Sequence, residues 1–297
     1  MRAVEPADAG IAKSPDGVRI AYEVFGAGDP TIMFLPSTPI VHSRQWKGQV
    51  PYFSRRHRVV AYDGRGNGRS DRPTDPVSYH DDRLVDDLGA VMDATDTARA
   101  VLVGLCTDGV WRAIRFAADQ PQRVLGIAAF GIGVPRLSPP QPHYVAASAT
   151  FGDELPAYDG WSKYNRHHWR SDYADFVRFF FEEITSEPHS TKAIDDAVAW
   201  ALDGSVDAMI AENEAGFPFD VAHVEEICRA VTCPMLLVHG TEDTCQPIAR
   251  AERLAELTGA PLVEVEGADH MIPGRHPVLA NLLIRDFVES LAEEAVH

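Results

Sequence analysis

The chain has 297 residues, of which 45% are hydrophobic and 24% charged, and its formal net charge is −17 at neutral pH. This length and composition predict a folded globular protein and exclude disordered, collagen-like and coiled-coil chains. The negative charge makes nucleic acid and anionic membrane surfaces poor partners, so a small molecule or another protein is the expected ligand.

Targeting and cysteine signals are weak along the whole sequence. The longest nearly unbroken apolar run, 124–134, is shorter than the roughly 20 residues that a membrane-spanning helix needs. The first residues carry an early acid and no apolar segment like that of a secretory signal, so we expect a cytoplasmic protein. Cysteines at 106, 228, 233 and 245 have no C-x-x-C spacing. The sequence therefore predicts no disulfide scaffold, no metal and no other cofactor.

Strand and helix patterns alternate along most of the chain. Apolar residues at spacings of three and four predict helices from Leu84 to Met92, from Val110 to Ala118 and from Val278 to Leu291. Runs of β-branched and aromatic residues predict strands at 18–24, 31–35, 57–62, 100–105, from 124 onwards, and at 234–239 and 261–265. Because these strands are apolar on both faces, we expect an α/β fold, a mostly parallel sheet flanked by helices.

The composition changes between 134 and 229. Four prolines open this stretch, which is then rich in aromatic residues at helical spacing and has no clear strand. We interpret it as a helical lid inserted into a core formed by 1–133 and 230–297. Most of its rings are expected to pack helix on helix. Trp161 and Trp169 are candidate substrate contacts, since an insertion at this point can cover the site.

A cysteine lies on a sharp turn between the strand 100–105 and the helix that follows it. Such a turn directs the side chain outward above the sheet, and the N-terminus of the helix stabilises a thiolate. Asp108 would oppose ionisation of Cys106 if it pointed at the sulfur. We favour Asp108 as a cap for a helix beginning at Val110, and a contact with a substrate amine or hydroxyl is the alternative.

Several segments resemble the α/β-hydrolase family. The stretch 62–71, YDGRGNGRSD, resembles the family's D-x-R-G-x-G-x-S segment. The stretches 234–243 and 267–270 are similar to those that deliver the family's catalytic acid and histidine. The elbow G-x-S-x-G matches in part, with Cys106 in place of serine. The resemblance implies an α/β-hydrolase fold with nucleophile, acid and base in the order Cys106, Asp243, His270.

The resemblance also implies a role for each site residue. His270 would act as general base and acid, and Asp243 would hold its tautomer. Backbone N–H groups of Thr107 and, by register, Thr38 would bind the oxyanion. Ser37 stands where the family often has glycine and is a further candidate substrate contact.

Some choices among neighbouring residues remain open. Glu242 and Asp269 compete with Asp243 for the role of the acid, and register after the strand favours Asp243. Cys245 either approaches the site or is a structural thiol, and we favour the second interpretation. Two alternatives to catalysis remain for Cys106. It is a buried inert thiol, or it is a cysteine introduced in place of a catalytic serine.

The leading hypothesis is an enzyme that hydrolyses an ester, a thioester or a lactone of a small apolar acyl group through a thioester on Cys106. The donor could be bound to a carrier or to CoA. The main alternative is an acyltransferase that passes the group to an amine, alcohol or thiol. Two further alternatives are a catalytically silent ligand-binding protein and a lyase or cyclase that uses His270 as its base. The sequence leaves the oligomeric state open.

Overall fold

In the computed structural model, which describes residues 4–37, 39–188 and 191–294, eight strands form one sheet. The predicted α/β class with a mostly parallel sheet is confirmed. The strands are β1 Asp8–Lys13, β2 Arg19–Phe25, β3 Ile32–Phe34, β4 Val59–Tyr62, β5 Ala100–Leu105, β6 Val124–Phe130, β7 Met235–Gly240 and β8 Leu262–Val265.

The order of the strands places β5 in the interior of the sheet. The order is β1-β2-β4-β3-β5-β6-β7-β8, in which β2 is antiparallel to β1 and β4 and the remaining pairs are parallel. Ligands of such sheets bind beyond the carboxyl ends of the strands. The segments that follow β5, β6 and β7 are therefore positioned to build a site.

Helices cover both faces of the sheet. Buried residues of four helices pack on one face, namely α2 (Asp81–Ala94), α3 (Cys106–Asp119), α9 (Val221–Ala230) and α10 (Ala249–Thr258). Those of α1 (Val50–Phe53) and α12 (Pro277–Glu294) pack on the other. In the described ranges, no helix is both long and apolar enough to cross a membrane. The helices are α1 Val50–Phe53, α2 Asp81–Ala94, α3 Cys106–Asp119, α4 Pro142–Ala149, α5 Arg166–Ser171, α6 Tyr173–Ile184, α7 Lys192–Leu202, α8 Val206–Ala215, α9 Val221–Ala230, α10 Ala249–Thr258, α11 Ile272–Arg275 and α12 Pro277–Glu294.

In the described residues, five helices, α4 to α8, form the insertion between β6 and β7 that the sequence analysis interprets as a lid. The sequence analysis placed α9 in the lid as well, because its boundary was drawn at residue 229. In the structure α9 packs against α3 and α10, and its Val224 and Cys228 are completely buried in the core beneath the sheet. The helix therefore belongs to the core layer, although it precedes the return of the chain to β7.

The segment after β4 is anchored by a buried ion pair. The guanidinium of Arg65 has no exposed surface and donates to both oxygens of Asp87 at 2.7 Å, so it links this segment to α2. Its Nη1 also lies 2.8 Å from Asp16, near the turn between β1 and β2. The glycine-rich stretch 62–71 thus supports the carboxyl edge of the sheet.

Candidate active site

Cys106 lies where β5 turns directly into α3. Its φ of +63° falls in the left-handed region, which non-glycine residues rarely adopt. A side chain at Gly104 would bring its Cβ within 2.5 Å of the carbonyl carbon of Gly109. The strand and the helix therefore meet backbone against backbone, and this close approach produces the sharp elbow, residues 105–107, that carries the thiol.

His270 and Asp243 form a buried hydrogen-bonded pair. Nδ1 of His270 lies 2.7 Å from Oδ2 of Asp243, and the two residues are 2% and 7% exposed. The alternative acids have other surroundings: Glu242 is exposed, and Asp269 accepts from the backbone N–H of Met271. The structure thus brings Asp243, rather than either competitor, to the histidine.

A second thiol lies at the site. The sulfurs of Cys106 and Cys245 and a ring nitrogen of His270 all lie within 4.8 Å of one another. The amide Nε2 of Gln246 is 3.7 Å from the sulfur of Cys106 and 3.6 Å from that of Cys245. The interpretation of Cys245 as a structural thiol is therefore wrong. It fails because the acid-bearing loop after β7 turns back over the elbow.

These contacts shift the pKa values of the two thiols in opposite directions. The hydrogen bond from Cys245, the charge on His270 and the backbone N–H of Thr107 together hold the pKa of Cys106 well below its usual value, although burial opposes them. The same hydrogen bond, together with burial, raises the pKa of Cys245 well above its usual value. Cys106 is thus the more acidic of the two thiols.

His270 balances this negative charge. Burial alone would lower its pKa, but the carboxylate of Asp243 and the neighbouring sulfurs raise it well above the usual value. Burial likewise opposes ionisation of Asp243, and His270 outweighs it, so that the pKa of Asp243 is lowered. The pKa directions of the three groups thus favour negative charge on Cys106 and Asp243 and positive charge on His270.

The predicted oxyanion groups are only partly described. Thr107 directs its backbone N–H to the sulfur of Cys106. Thr38 lies outside the described residues. The hydroxyl of Ser37 is buried and donates to the carbonyl oxygen of Leu105 at 3.2 Å, which ties its loop to the end of β5. Ser37 therefore supports the elbow, and its role as a substrate contact stays a prediction.

Asp108 does not cap a helix that begins at Val110, so that interpretation is wrong. The helix α3 begins at Cys106, which puts Asp108 inside its first turn, and the carboxylate lies 3.4 Å from Nη2 of Arg112. The same nitrogen is 3.9 Å from Glu212 of the lid. Burial, followed by the charge of Asp108, raises the pKa of Glu212 well above its usual value. Arg112 thus offsets the charge that the sequence places beside the nucleophile.

The two tryptophans proposed as substrate contacts have different surroundings. Trp169 has no exposed surface and packs against Phe151 and Phe176 in the interior of the lid. Trp161 is partly exposed and contacts the ring of Tyr144 with centroids 4.8 Å apart. The hydroxyl of Tyr144 lies 3.6 Å from the sulfur of Cys245. Tyr144 therefore separates Trp161 from the thiols, and Trp169 stabilises the packing of the inserted helices.

Sequence reasoning missed a histidine behind the acid. His239 is completely buried, and its Nδ1 accepts from the backbone N–H of Ile132 at 3.0 Å. The proton is therefore on Nε2, which faces the carbonyl oxygen of Gln246 at 3.1 Å and Asp243 at 3.4 Å. Burial lowers the pKa of His239, which keeps the ring neutral. The available signal in the sequence was that His239 lies near the end of a strand, four residues before Asp243.

Two sulfurs and an imidazole are also ligands that zinc accepts, so the same three residues could hold a soft metal ion. The hydrogen bond between His270 and Asp243 would be present with or without a bound metal ion, because it uses Nδ1 and leaves Nε2 as the metal ligand.

Comparison with known proteins places this site in a family. Residues 30–277 match the family described as alpha/beta hydrolase fold. The chain is 29% identical over 295 residues to a non-heme chloroperoxidase from Streptomyces lividans, with 95% of this chain and 100% of that protein covered. It is 25% identical over 290 residues to a bifunctional esterase/perhydrolase from Acinetobacter calcoaceticus, with the same coverage.

A solved structure gives the same answer for the fold. The bromoperoxidase from Bacillus anthracis superposes with a TM-score of 0.77 at 20% identity, and the match covers 95% of this chain and 100% of that one. Family and relatives together indicate a hydrolase-type enzyme. The chain belongs to the α/β-hydrolase family.

Proposed function

We propose that the protein hydrolyses esters, thioesters or lactones of small apolar acyl groups by covalent catalysis on Cys106. The observation that carries the proposal is the 2.7 Å bond between His270 and Asp243 beside a cysteine on the elbow. A nucleophile, a base within reach of it and a third group that orients the base form the arrangement that covalent catalysis needs.

The reaction would proceed in two halves. The thiolate of Cys106 attacks the carbonyl carbon, and the backbone N–H of Thr107 donates to the oxyanion that forms. The imidazolium of His270 protonates the leaving alcohol or thiol as the thioester forms. The neutral ring then takes a proton from water, which attacks the thioester, and returns the site to thiolate and imidazolium. Throughout both halves, the carboxylate of Asp243 accepts a hydrogen bond from Nδ1–H of His270 and keeps the ring oriented.

The surroundings of the thiols support an apolar acyl group. The ring of Tyr144 reaches Cys245, and Trp161 lies against Tyr144. Aromatic walls with a few polar groups are typical of pockets for small organic ligands. The name of the Acinetobacter relative, an esterase/perhydrolase, agrees with an ester as donor.

Acyl transfer to an amine or thiol is the second candidate. Sulfur as the attacking atom favours acyl transfer, because it produces a thioester, which amines and thiols attack readily.

The test of the ion pair is the rate at which iodoacetamide alkylates Cys106 as a function of pH, with the site of reaction identified by peptide mass spectrometry. We expect a pKa well below the usual value of about 8.5, and a higher one in His270→Ala. Cys228 and Cys233 are internal controls, since burial raises their pKa to about 12 and about 11. A Cys106 that titrates near 8.5 in both proteins, or never reacts, would contradict the proposal.

Product analysis separates the two candidates. Incubation with short-chain acyl thioesters should leave an acyl group on Cys106, most readily trapped in His270→Ala. Free acid as product in the presence of amines supports hydrolysis, and amide supports transfer. A chelator is included throughout, because bound zinc would occupy the same sulfurs.

A further inference from the structure

The acyl mechanism does not use Cys245, yet the structure holds this thiol firmly beside the nucleophile. Cys245 is 5% exposed, and its backbone N–H donates to Oδ1 of Asp243 at 2.8 Å. Its sulfur contacts Gln246 and Tyr144 and lies within 4.8 Å of the sulfur of Cys106. A reactive sulfur with a second sulfur beside it is the arrangement found in redox-active thiol pairs.

We propose that hydroperoxides oxidise Cys106 and that Cys245 then closes a reversible disulfide with it. Cys106 is thus a modification site as well as a nucleophile, and Cys245 is its resolving thiol. The inference shares the Cys106 thiolate with the proposed function, but it requires no acyl substrate.

The contacts decide which sulfur reacts first. Cys106 is the first residue of α3, whose N-terminus stabilises negative charge, and a ring nitrogen of His270 lies within 4.8 Å of its sulfur. The thiolate is the form that attacks peroxide. Cys106 also lies on the elbow at the start of α3, where the acyl substrate of the proposed function would reach it.

The chemistry is balanced by His270. The thiolate of Cys106 takes one oxygen from hydrogen peroxide, and the imidazolium protonates the departing hydroxide, which leaves a sulfenic acid, water and a neutral ring. The ring then takes the proton of Cys245, whose thiolate attacks the sulfur of the sulfenic acid, and the proton leaves with the hydroxyl as a second water. Two thiols have lost two electrons, and one peroxide has gained them.

Because the two sulfurs lie within 4.8 Å of one another, closure requires them to approach by less than about 3 Å. A disulfide needs its sulfurs about 2.05 Å apart, so they must approach each other. The backbone of Cys106 is held by the elbow, and the movement therefore falls to Cys245. Its sulfur moves by roughly 3 Å when the side chain passes between staggered rotamers. The disulfide would stop acyl transfer and spare Cys106 from irreversible oxidation to the sulfinic acid.

The test uses the purified chain with hydrogen peroxide at equimolar and tenfold ratios. We expect the intact mass to fall by about 2 Da, peptide mapping to join Cys106 to Cys245, and dithiothreitol to reverse both. In Cys245→Ala we expect a mass gain of about 32 Da on Cys106 that dithiothreitol does not reverse. Cys228→Ala, which removes a buried cysteine elsewhere, is the matched control and should behave as the unaltered chain does.

The inference is overturned if the unaltered chain gains oxygen instead of forming the disulfide, if Cys106 pairs with Cys228 or Cys233, or if Cys245→Ala recovers fully with dithiothreitol. The result for the unaltered chain depends on no variant, and thermal melts check that the variants fold. Because mass is the readout, a disulfide in a chain without esterase activity would refute only the proposed function. Esterase activity without the disulfide would refute only this inference.

Discussion

The two oxygens of the Asp243 carboxylate have separate partners. Oδ2 faces His270, and Oδ1 accepts from the backbone N–H groups of Cys245 and Gln246, each at 2.8 Å. One side chain therefore orients the base and shapes the loop that carries the second thiol. Replacement of Asp243 should affect both His270 and the loop 243–246, unless the oxygen that faces the loop is kept.

Asp243→Asn keeps that oxygen and presents an amide NH₂ to His270, which forces the other tautomer of the ring. We expect kcat for a chromogenic ester to fall by about 10⁴-fold with little change in the melting temperature. Glu242→Gln, at the exposed neighbouring carboxylate, is the control and should leave kcat unchanged. A loss smaller than about tenfold in Asp243→Asn would show that the acid does not orient the base.

At the residue scale, the sequence predicted those residues whose place follows from the ends of strands. Cys106, Asp243 and His270 each follow a strand or precede a helix in a recognisable pattern, and the structure brings them together. The approach of Cys245 to the site was only the less favoured alternative, and Gln246 was not recognised, because no motif marks either residue. They reach the elbow through the path of one loop, which depends on hydrogen bonds to Asp243.

The contact between β5 and α3 determines the position of Cys106, the proposed nucleophile. Gly104 and Gly109 meet without side chains between them, so the helix can begin at Cys106 directly after the strand. The family's second elbow glycine is replaced by Asp108, and the side chain fits because it points along the helix to Arg112.

Gly104→Ala tests this contact. The new Cβ would lie 2.5 Å from backbone atoms of Gly109, so the strand and the helix must separate. We expect the free energy of unfolding to fall by about 1–3 kcal/mol, and the activity to fall further because the elbow opens. Gly274→Ala is the control, since an added Cβ there meets no atom within 4 Å. Equal stability of the two variants in urea titrations would refute the close approach.

The lid tryptophans provide a second test at this scale. Trp169→Ala removes a ring buried between Phe151 and Phe176, and we expect a loss of about 3–5 kcal/mol of stability. Trp161→Ala removes a partly exposed ring next to Tyr144, and we expect a raised KM with a smaller loss of stability. Denaturation curves and ester kinetics on both variants distinguish these results. The reverse pattern would make Trp169 the substrate contact.

Most core strands were predictable because they are continuously apolar. The strand β1 was missed, since it lies at the exposed edge of the sheet and most of its residues face solvent. The start of α3 was placed four residues late, because a cysteine, a threonine and an aspartate are weak helix formers and the left-handed backbone at Cys106 has no sequence signal. The position of α9 depended on tertiary packing alone.

Across the whole molecule, Arg65 connects parts that are distant in sequence. Its bonds to Asp16 and Asp87 join the β1–β2 turn, the segment after β4 and the helix α2. The guanidinium is fully buried, so the removal of its buried partner Asp87 leaves only the partly exposed carboxylate of Asp16 to balance the charge.

Asp87→Asn should therefore lower the free energy of unfolding by about 3–5 kcal/mol, as measured in urea. Asp86→Asn is the control, since the neighbouring carboxylate is 40% exposed and lies 3.8 Å from Arg83 on the same helix face. We expect a change of less than about 1 kcal/mol there. Similar losses in both variants would show that Arg65 keeps its charge balanced without Asp87.

The pairing of β6 with β7 sets when the active site can exist. Ile127 pairs with Met235 across the inserted lid, so the nucleophile lies on one side of a gap of roughly a hundred residues and the acid and base lie on the other. A nascent chain stalled within the lid would carry the thiol without its histidine. At a pH well below the ordinary thiol pKa of about 8.5, an unfolded chain reacts little with iodoacetamide. Since closure of so long a loop is slow, recovery of Cys106 alkylation at such a pH during refolding should lag behind the burial of tryptophan. Reactivity at this one sulfur therefore reports the completion of folding.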